Sequence, residues 1–127
     1  MKKIFQIIIF SITGLLLNSC YYDEMIPVYV APIPDGTTVT YKADIAPMLA
    51  ACTACHNGTQ TPDLRNTQAA YNNLFPNYVR IGNASGSKLY YFPPGSPTSG
   101  HPSVGVTLSA ANFATIKYWI ETQALYE

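Results

Sequence analysis

The residues with the clearest capacity for chemistry lie together in Cys52-Thr53-Ala54-Cys55-His56. Two thiols three residues apart, followed directly by an imidazole, form a C-x-x-C-H sequence, the attachment signal of a c-type haem. On one helical turn both cysteines face the same way, so their sulfurs can add to the two vinyl groups of one porphyrin. His56 then lies against the iron and is the predicted proximal ligand. The motif predicts one covalently attached haem c.

Three other uses of these side chains compete with haem attachment. A thioredoxin-like redox pair would follow a buried strand, whereas residues 41–51 are predicted to be helical. A zinc site could combine Cys52, Cys55, His56 and His101, although two ligands on consecutive residues suit a tetrahedral site poorly. A simple disulfide between Cys52 and Cys55 is the third alternative. We favour haem attachment over all three.

The start of the chain has the layout of a secretory signal, with two lysines, an apolar run over residues 4–17 and then Leu17-Asn18-Ser19-Cys20. The last four residues resemble the bacterial lipoprotein signal. That resemblance implies that residues 1–19 are removed and that Cys20 carries the lipid anchor. An ordinary signal peptide before an unmodified cysteine is the alternative. The expected location is the bacterial cell envelope, on the periplasmic side of the inner or the outer membrane.

The predicted mature chain divides into a tether over residues 20–40, rich in proline and tyrosine, and a domain over residues 41–127. The tether carries apolar side chains, so part of it is expected to pack on its own domain or on a partner protein. Seven basic and seven acidic side chains leave no basic surface of the kind that binds nucleic acid. A chain of 127 residues is also too short for a multidomain enzyme.

Three or four short helices separated by long loops must position the motif. Each is predicted from a residue that caps a helix N terminus, followed by apolar side chains at helical spacing. In the first helix Ile45, Leu49 and Cys52 share one face. The predicted starts are Asp44, Asn66 or Thr67, Ser85 and Ser109, and the second helix ends at Leu74. The side chains expected to wall the cofactor are Leu64, Leu74, Phe75, Leu89, Tyr90, Tyr91, Phe92 and Trp119.

From Tyr41 to Ala124 the chain resembles the monohaem cytochrome c domain of bacterial envelope proteins. The resemblance implies an all-α, class-I-like cytochrome c fold in which the first and last helices pack on each other. The matching sequences are Ile45-Ala46-Pro47-Met48-Leu49, Cys52 to His56, Asp63-Leu64, Ile81 to Tyr90, His101-Pro102, and Leu108-Ser109 through Trp119-Ile120.

The chain departs from that family at the distal ligand. The family has a methionine before proline where this chain has His101, and no methionine follows the haem motif. We therefore predict His101 as the sixth ligand of the iron; the alternatives are a vacant or water-bound position, Met48, or a ligand from outside the chain. Two imidazoles leave no open position for oxygen or peroxide. The second ring nitrogen of His56 also needs an acceptor, and a backbone carbonyl near Pro62 is the expected one.

Three functions follow from this interpretation. The first is a membrane-anchored electron carrier, not an enzyme, that exchanges electrons with redox protein partners in the envelope. The second is a haem-bearing subunit fixed in a larger membrane complex. The third is a peroxidase-like enzyme, which requires His101 to leave the iron. We rank electron transfer first because two imidazoles saturate the metal.

Overall fold

The structure is a computed structural model that describes Lys3, residues 29–102 and residues 104–127. All regular secondary structure in these residues is helical, which confirms the predicted all-α class. The predicted signal peptide, apart from Lys3, and the predicted lipid anchor Cys20 lie outside the described residues. Among the residues that are described, no helix has both the length and the apolar character needed to cross a membrane.

The first helical segment, α1, carries the cysteine motif and passes through three types of helical turn. It consists of a π-helical turn Tyr41–Ile45, an α-helical turn Ala46–Met48 and a 3-10 turn Ala50–Ala54. Pro47 lies among them and has no N–H with which to continue a regular ladder of hydrogen bonds. The last turn contains the first cysteine of the motif and ends at the second, Cys55.

The N-cap of α1 is Thr40, so the predicted start at Asp44 is wrong. The Thr40 hydroxyl accepts a hydrogen bond from the Ala43 N–H at 3.2 Å. The Asp44 carboxylate reaches back and accepts from the Thr40 N–H at 2.7 Å. Threonine and aspartate are both good cap residues, and here they act together, with Thr40 at the cap and Asp44 inside the first turn.

Three further helices follow: α2 spans Thr67–Leu74, α3 spans Lys88–Tyr91 and α4 spans Ala110–Thr122. The predicted caps of α2 and α4 are confirmed. The Asn66 side chain accepts from the N–H of Ala69 at 2.9 Å, and Ser109 forms a reciprocal capping box with Asn112.

Helix α3 is shorter than predicted and begins at Lys88 rather than near Ser85. The reason is Ser87, whose side chain is completely buried. Its hydroxyl donates to the Asn83 carbonyl at 2.7 Å and accepts from the Arg80 N–H at 2.9 Å. These bonds hold the preceding residues in turns rather than in a helix.

The core joins the first and last helices through a cluster of aromatic rings. Neighbouring ring centroids in this cluster are 5.0 to 6.5 Å apart. The carbonyl of Leu125, just after α4, accepts two hydrogen bonds of 2.8 Å, from the Tyr41 N–H and from the Trp119 indole N–H. One acceptor therefore ties α1 to α4. The rings of the aromatic cluster are those of Tyr41, Tyr71, Phe75, Trp119 and Tyr126.

The described part of the predicted tether packs on the domain only near its end. Val39 is buried, and the carbonyl of Thr37 accepts a hydrogen bond of 3.1 Å from the Tyr118 hydroxyl. Tyr29, by contrast, is 84% exposed. Residues 37–40 therefore belong to the packed domain.

Burial raises the pKa of Tyr41 to about 12, and Tyr126 adds to this shift. Between pH 10 and about 12 the unfolded chain therefore releases a proton that the folded chain keeps. We expect the free energy of unfolding to fall by about 1–2 kcal/mol as the pH rises through this range. Urea unfolding of wild type and Tyr41→Phe measures the effect. The variant should lose less stability over that range, and equal losses would contradict the assignment to Tyr41.

Candidate cofactor site

A cavity of about 440 Å³ lies between α1, α3 and the loop after α3. Its volume is in the usual range for cofactor pockets, about 300–1,000 Å³. All four residues selected from the sequence line this cavity, namely Cys52, Cys55, His56 and His101. The remaining wall is mostly apolar and includes Leu49, Leu64, Leu74, Tyr78, Leu89, Tyr91, Phe92, Pro93, Pro94, Val104 and Val106.

The two cysteines are free thiols, Cys52 half-buried and Cys55 exposed. Burial raises the pKa of Cys52, and the neighbouring Cys55 adds to this shift. A raised pKa keeps the thiol protonated, whereas a thioredoxin-like pair depends on a thiol of lowered pKa. No strand precedes the motif in residues 29–51. The structure thus gives no support to the disulfide or to the thioredoxin-like alternative.

The expected acceptor for His56 is present. Its Nδ1 lies 3.0 Å from the carbonyl oxygen of Pro62. A carbonyl can only accept a hydrogen bond, so the proton of a neutral ring is on Nδ1 and the lone pair is on Nε2. The Leu64 N–H also donates to the His56 carbonyl, at 2.8 Å. The turn between these residues thereby orients the imidazole as a metal ligand requires.

An ion pair closes this turn. Asp63 accepts hydrogen bonds from the backbone N–H of Arg65 at 3.1 Å and from its guanidinium at 2.6 Å. The side-chain bond from Arg65, and then its backbone bond, lower the pKa of Asp63 to about 2. Gly58 has φ +94°, and a Cβ there would lie 2.7 Å from the Arg65 guanidinium. The arginine tip could move away from a Cβ, so it is the positive φ that favours glycine at this position.

The rings of His101 and His56 both line the cavity and lie near each other. The two ring centroids are 6.1 Å apart, with 44° between the ring planes. The Nδ1 of His101 lies 2.8 Å from the Pro102 carbonyl, so Nε2 again carries the free lone pair. The ring of Phe92 meets that of His101 edge-on at 5.6 Å.

The separation of the imidazoles fits one iron between them. A metal–nitrogen bond of about 2 Å on each side, with each ring centre about 1.1 Å further out, requires centroids about 6 Å apart. The observed distance is 6.1 Å. Met48 does not line the cavity, so nothing favours it as a ligand. Together with two thiols on the same cavity, these residues fit a haem.

A zinc centre fits the same residues less well. Within residues 29–102 and 104–127, no group of three or more His, Cys, Asp or Glu side chains is arranged to hold a metal ion. A structural zinc site needs four such ligands. Haem iron takes only two from the protein, because the porphyrin supplies the other four.

Sequence reasoning identified part of the wall and missed part. Leu64, Leu74, Leu89, Tyr91 and Phe92 line the cavity as predicted. Three predicted wall residues do not line it: Phe75 and Trp119 belong to the aromatic cluster, and Tyr90 packs edge-on against Phe113.

Lys88 was not predicted at the site. It lines the cavity, with its ammonium group 5.8 Å from the ring centre of Tyr78. Nothing in the sequence around an exposed lysine at a helix start indicates such a position.

No family model, curated protein or solved structure matches this chain. The assignment of the cavity therefore depends on the motif and on the geometry described above.

Proposed function

We propose that the protein is a monohaem c-type cytochrome with a class-I-like fold that carries electrons in the bacterial envelope. The observation that supports this proposal best is the 6.1 Å separation of the His56 and His101 rings across a cavity that two free thiols also line. Both imidazoles hold Nδ1 against a backbone carbonyl and leave Nε2 for a metal.

Each site residue has a distinct role in the proposed protein. Cys52 and Cys55 would hold the haem through thioether links, and His56 and His101 would hold its iron. Haem, when bound, supplies a one-electron iron couple. With haem bound, the mostly apolar wall would limit the access of water, and His56 and His101 would leave the iron no free position for a small substrate. That arrangement suits electron transfer to and from protein partners better than enzymatic turnover.

The membrane anchor is the second part of the proposal. Lipid on Cys20 would hold the domain near the membrane, and residues 21–36 would give it reach. Residues 37–40 pack on the domain and do not add to that reach. A tether of this kind raises the effective concentration of the domain near redox partners in the same membrane.

The test is expression of the full chain in a bacterial host that is competent for cytochrome maturation. We expect the intact mass to include one haem that remains attached after denaturation, because two thioether bonds hold it. Cys52→Ala/Cys55→Ala should lose the covalent haem completely. The matched control Cys20→Ser should retain haem and lose only the mass of the lipid. A colourless wild-type protein, with the mass of the polypeptide alone, would refute the proposal.

A further inference from the structure

The loop after α3 folds back onto the C-terminal end of that helix. The Thr98 hydroxyl donates to the carbonyl of Tyr91 at 3.3 Å, and the Ser99 hydroxyl donates to the carbonyl of Phe92 at 2.8 Å. Carbonyls at the end of a helix have no partner within the helix, so the two side chains supply partners that the backbone lacks. The loop is therefore held in place by hydroxyl groups.

The Ser99 hydroxyl has a second hydrogen bond, which involves His101, whereas the second contact of the Thr98 hydroxyl is with Ser96 at 3.5 Å. The Ser99 hydroxyl accepts from the backbone N–H of His101 at 3.2 Å. One hydroxyl thus connects the end of α3 to the backbone of the predicted distal ligand. The carbonyl of Phe92 accepts from Ser99, and the ring of Phe92 packs edge-on against that of His101, with the two ring centroids 5.6 Å apart. Phe92 is therefore connected to His101 in two ways. Its ring packs on the His101 ring, and its carbonyl is linked to the His101 backbone through Ser99.

The base of the loop is fixed separately. The Leu108 N–H donates to the Pro94 carbonyl at 2.9 Å. Gly95, with φ +97°, lies so close to the Leu108 carbonyl that no Cβ could be placed there. Loss of the Ser99 hydroxyl would leave this base closed and free only the part of the loop that carries His101.

We propose that Ser99 is a positioning residue that holds His101 over the cavity, opposite His56. This inference rests on the proposed function, in which His101 is the distal ligand. Ser99 does not touch the cofactor. It acts through the backbone of His101, and its effect is on how often that imidazole leaves the metal.

Carbon monoxide is the probe, because it can bind reduced haem iron only after His101 has left. We expect Ser99→Ala to bind the gas about tenfold faster than wild type, since two hydrogen bonds to one hydroxyl are lost. Ser99→Thr keeps the hydroxyl and should bind at close to the wild-type rate. Ser99→Val has nearly the same size as threonine without the hydroxyl, and it should resemble Ser99→Ala. Ser85→Ala removes an exposed hydroxyl outside this loop, one that bonds to Asn83; it is the control and should leave the rate unchanged.

The outcomes separate this inference from the proposed function. A wild-type protein without haem, or one that binds carbon monoxide as soon as it is mixed, would refute the bis-histidine proposal itself. A wild-type protein that binds slowly, with Ser99→Thr and Ser99→Val at the same rate, would overturn the role of Ser99 and leave the bis-histidine proposal standing. Faster binding in Ser99→Ala and Ser99→Val, with Ser99→Thr close to wild type, would support it. The absorption spectrum of each variant before mixing establishes that His101 is still the resting ligand.

Discussion

His101→Ala should open the distal position and allow reduced protein to bind carbon monoxide as soon as the two are mixed. In wild type the imidazole of His101 is held opposite His56, with ring centroids 6.1 Å apart. Suppose that the His101 imidazole leaves the iron free for only about one per cent of the time. Its removal should then raise the apparent affinity for carbon monoxide by about a hundredfold. Stopped-flow absorption of wild type and variant measures the difference.

Rescue by free imidazole is the control for this prediction. Added imidazole should return His101→Ala to a low-spin spectrum like that of wild type, because the lost ligand is replaced without the loop. An unchanged spectrum in the variant would end the assignment of His101. That result would leave the covalent attachment through Cys52 and Cys55 intact as a separate proposal.

The helix starts show how far local sequence determines this fold. Asn66 and Ser109 could be identified as caps because each has a side-chain oxygen placed before an apolar, helix-forming run. Asp44 is a good cap residue and leaves Pro47 in the first turn, so the local sequence predicts a start there, four residues after the cap at Thr40. The chain accommodates that proline by changing helix type, which depends on packing beyond the local sequence.

In the candidate site too, local sequence predicts one contact and does not predict another. The Pro62 carbonyl could be predicted as the partner of His56 because only six residues separate them and a ligating imidazole needs an acceptor. The approach of His101 could not be derived from spacing, because 45 residues separate it from His56. Its position depends on hydroxyl groups that bond to the end of α3, and such bonds leave no periodic signal in a sequence.

The largest loss of stability is expected at Trp119, where α4 meets α1. Its side chain is completely buried, and its ring lies 5.8 Å from that of Tyr41 and 6.2 Å from that of Phe75. Trp119→Ala should lower the free energy of unfolding by about 3–5 kcal/mol, measured by urea denaturation. For a small domain that is a large share of a total of about 5–15 kcal/mol.

Two comparison variants identify what Trp119 contributes. Trp119→Phe keeps most of the ring but removes the N–H that donates to Leu125, so we expect a smaller loss of about 1–3 kcal/mol. Tyr118→Ala, on the same helix but only half-buried, should cost less than about 1.5 kcal/mol. Similar losses of unfolding free energy for Trp119→Ala and Tyr118→Ala would contradict the claim that the indole is the centre of the contact between α1 and α4. Because α1 also carries Cys52, weaker packing between α1 and α4 should reduce the yield of haem-loaded protein as well as the stability of the protein.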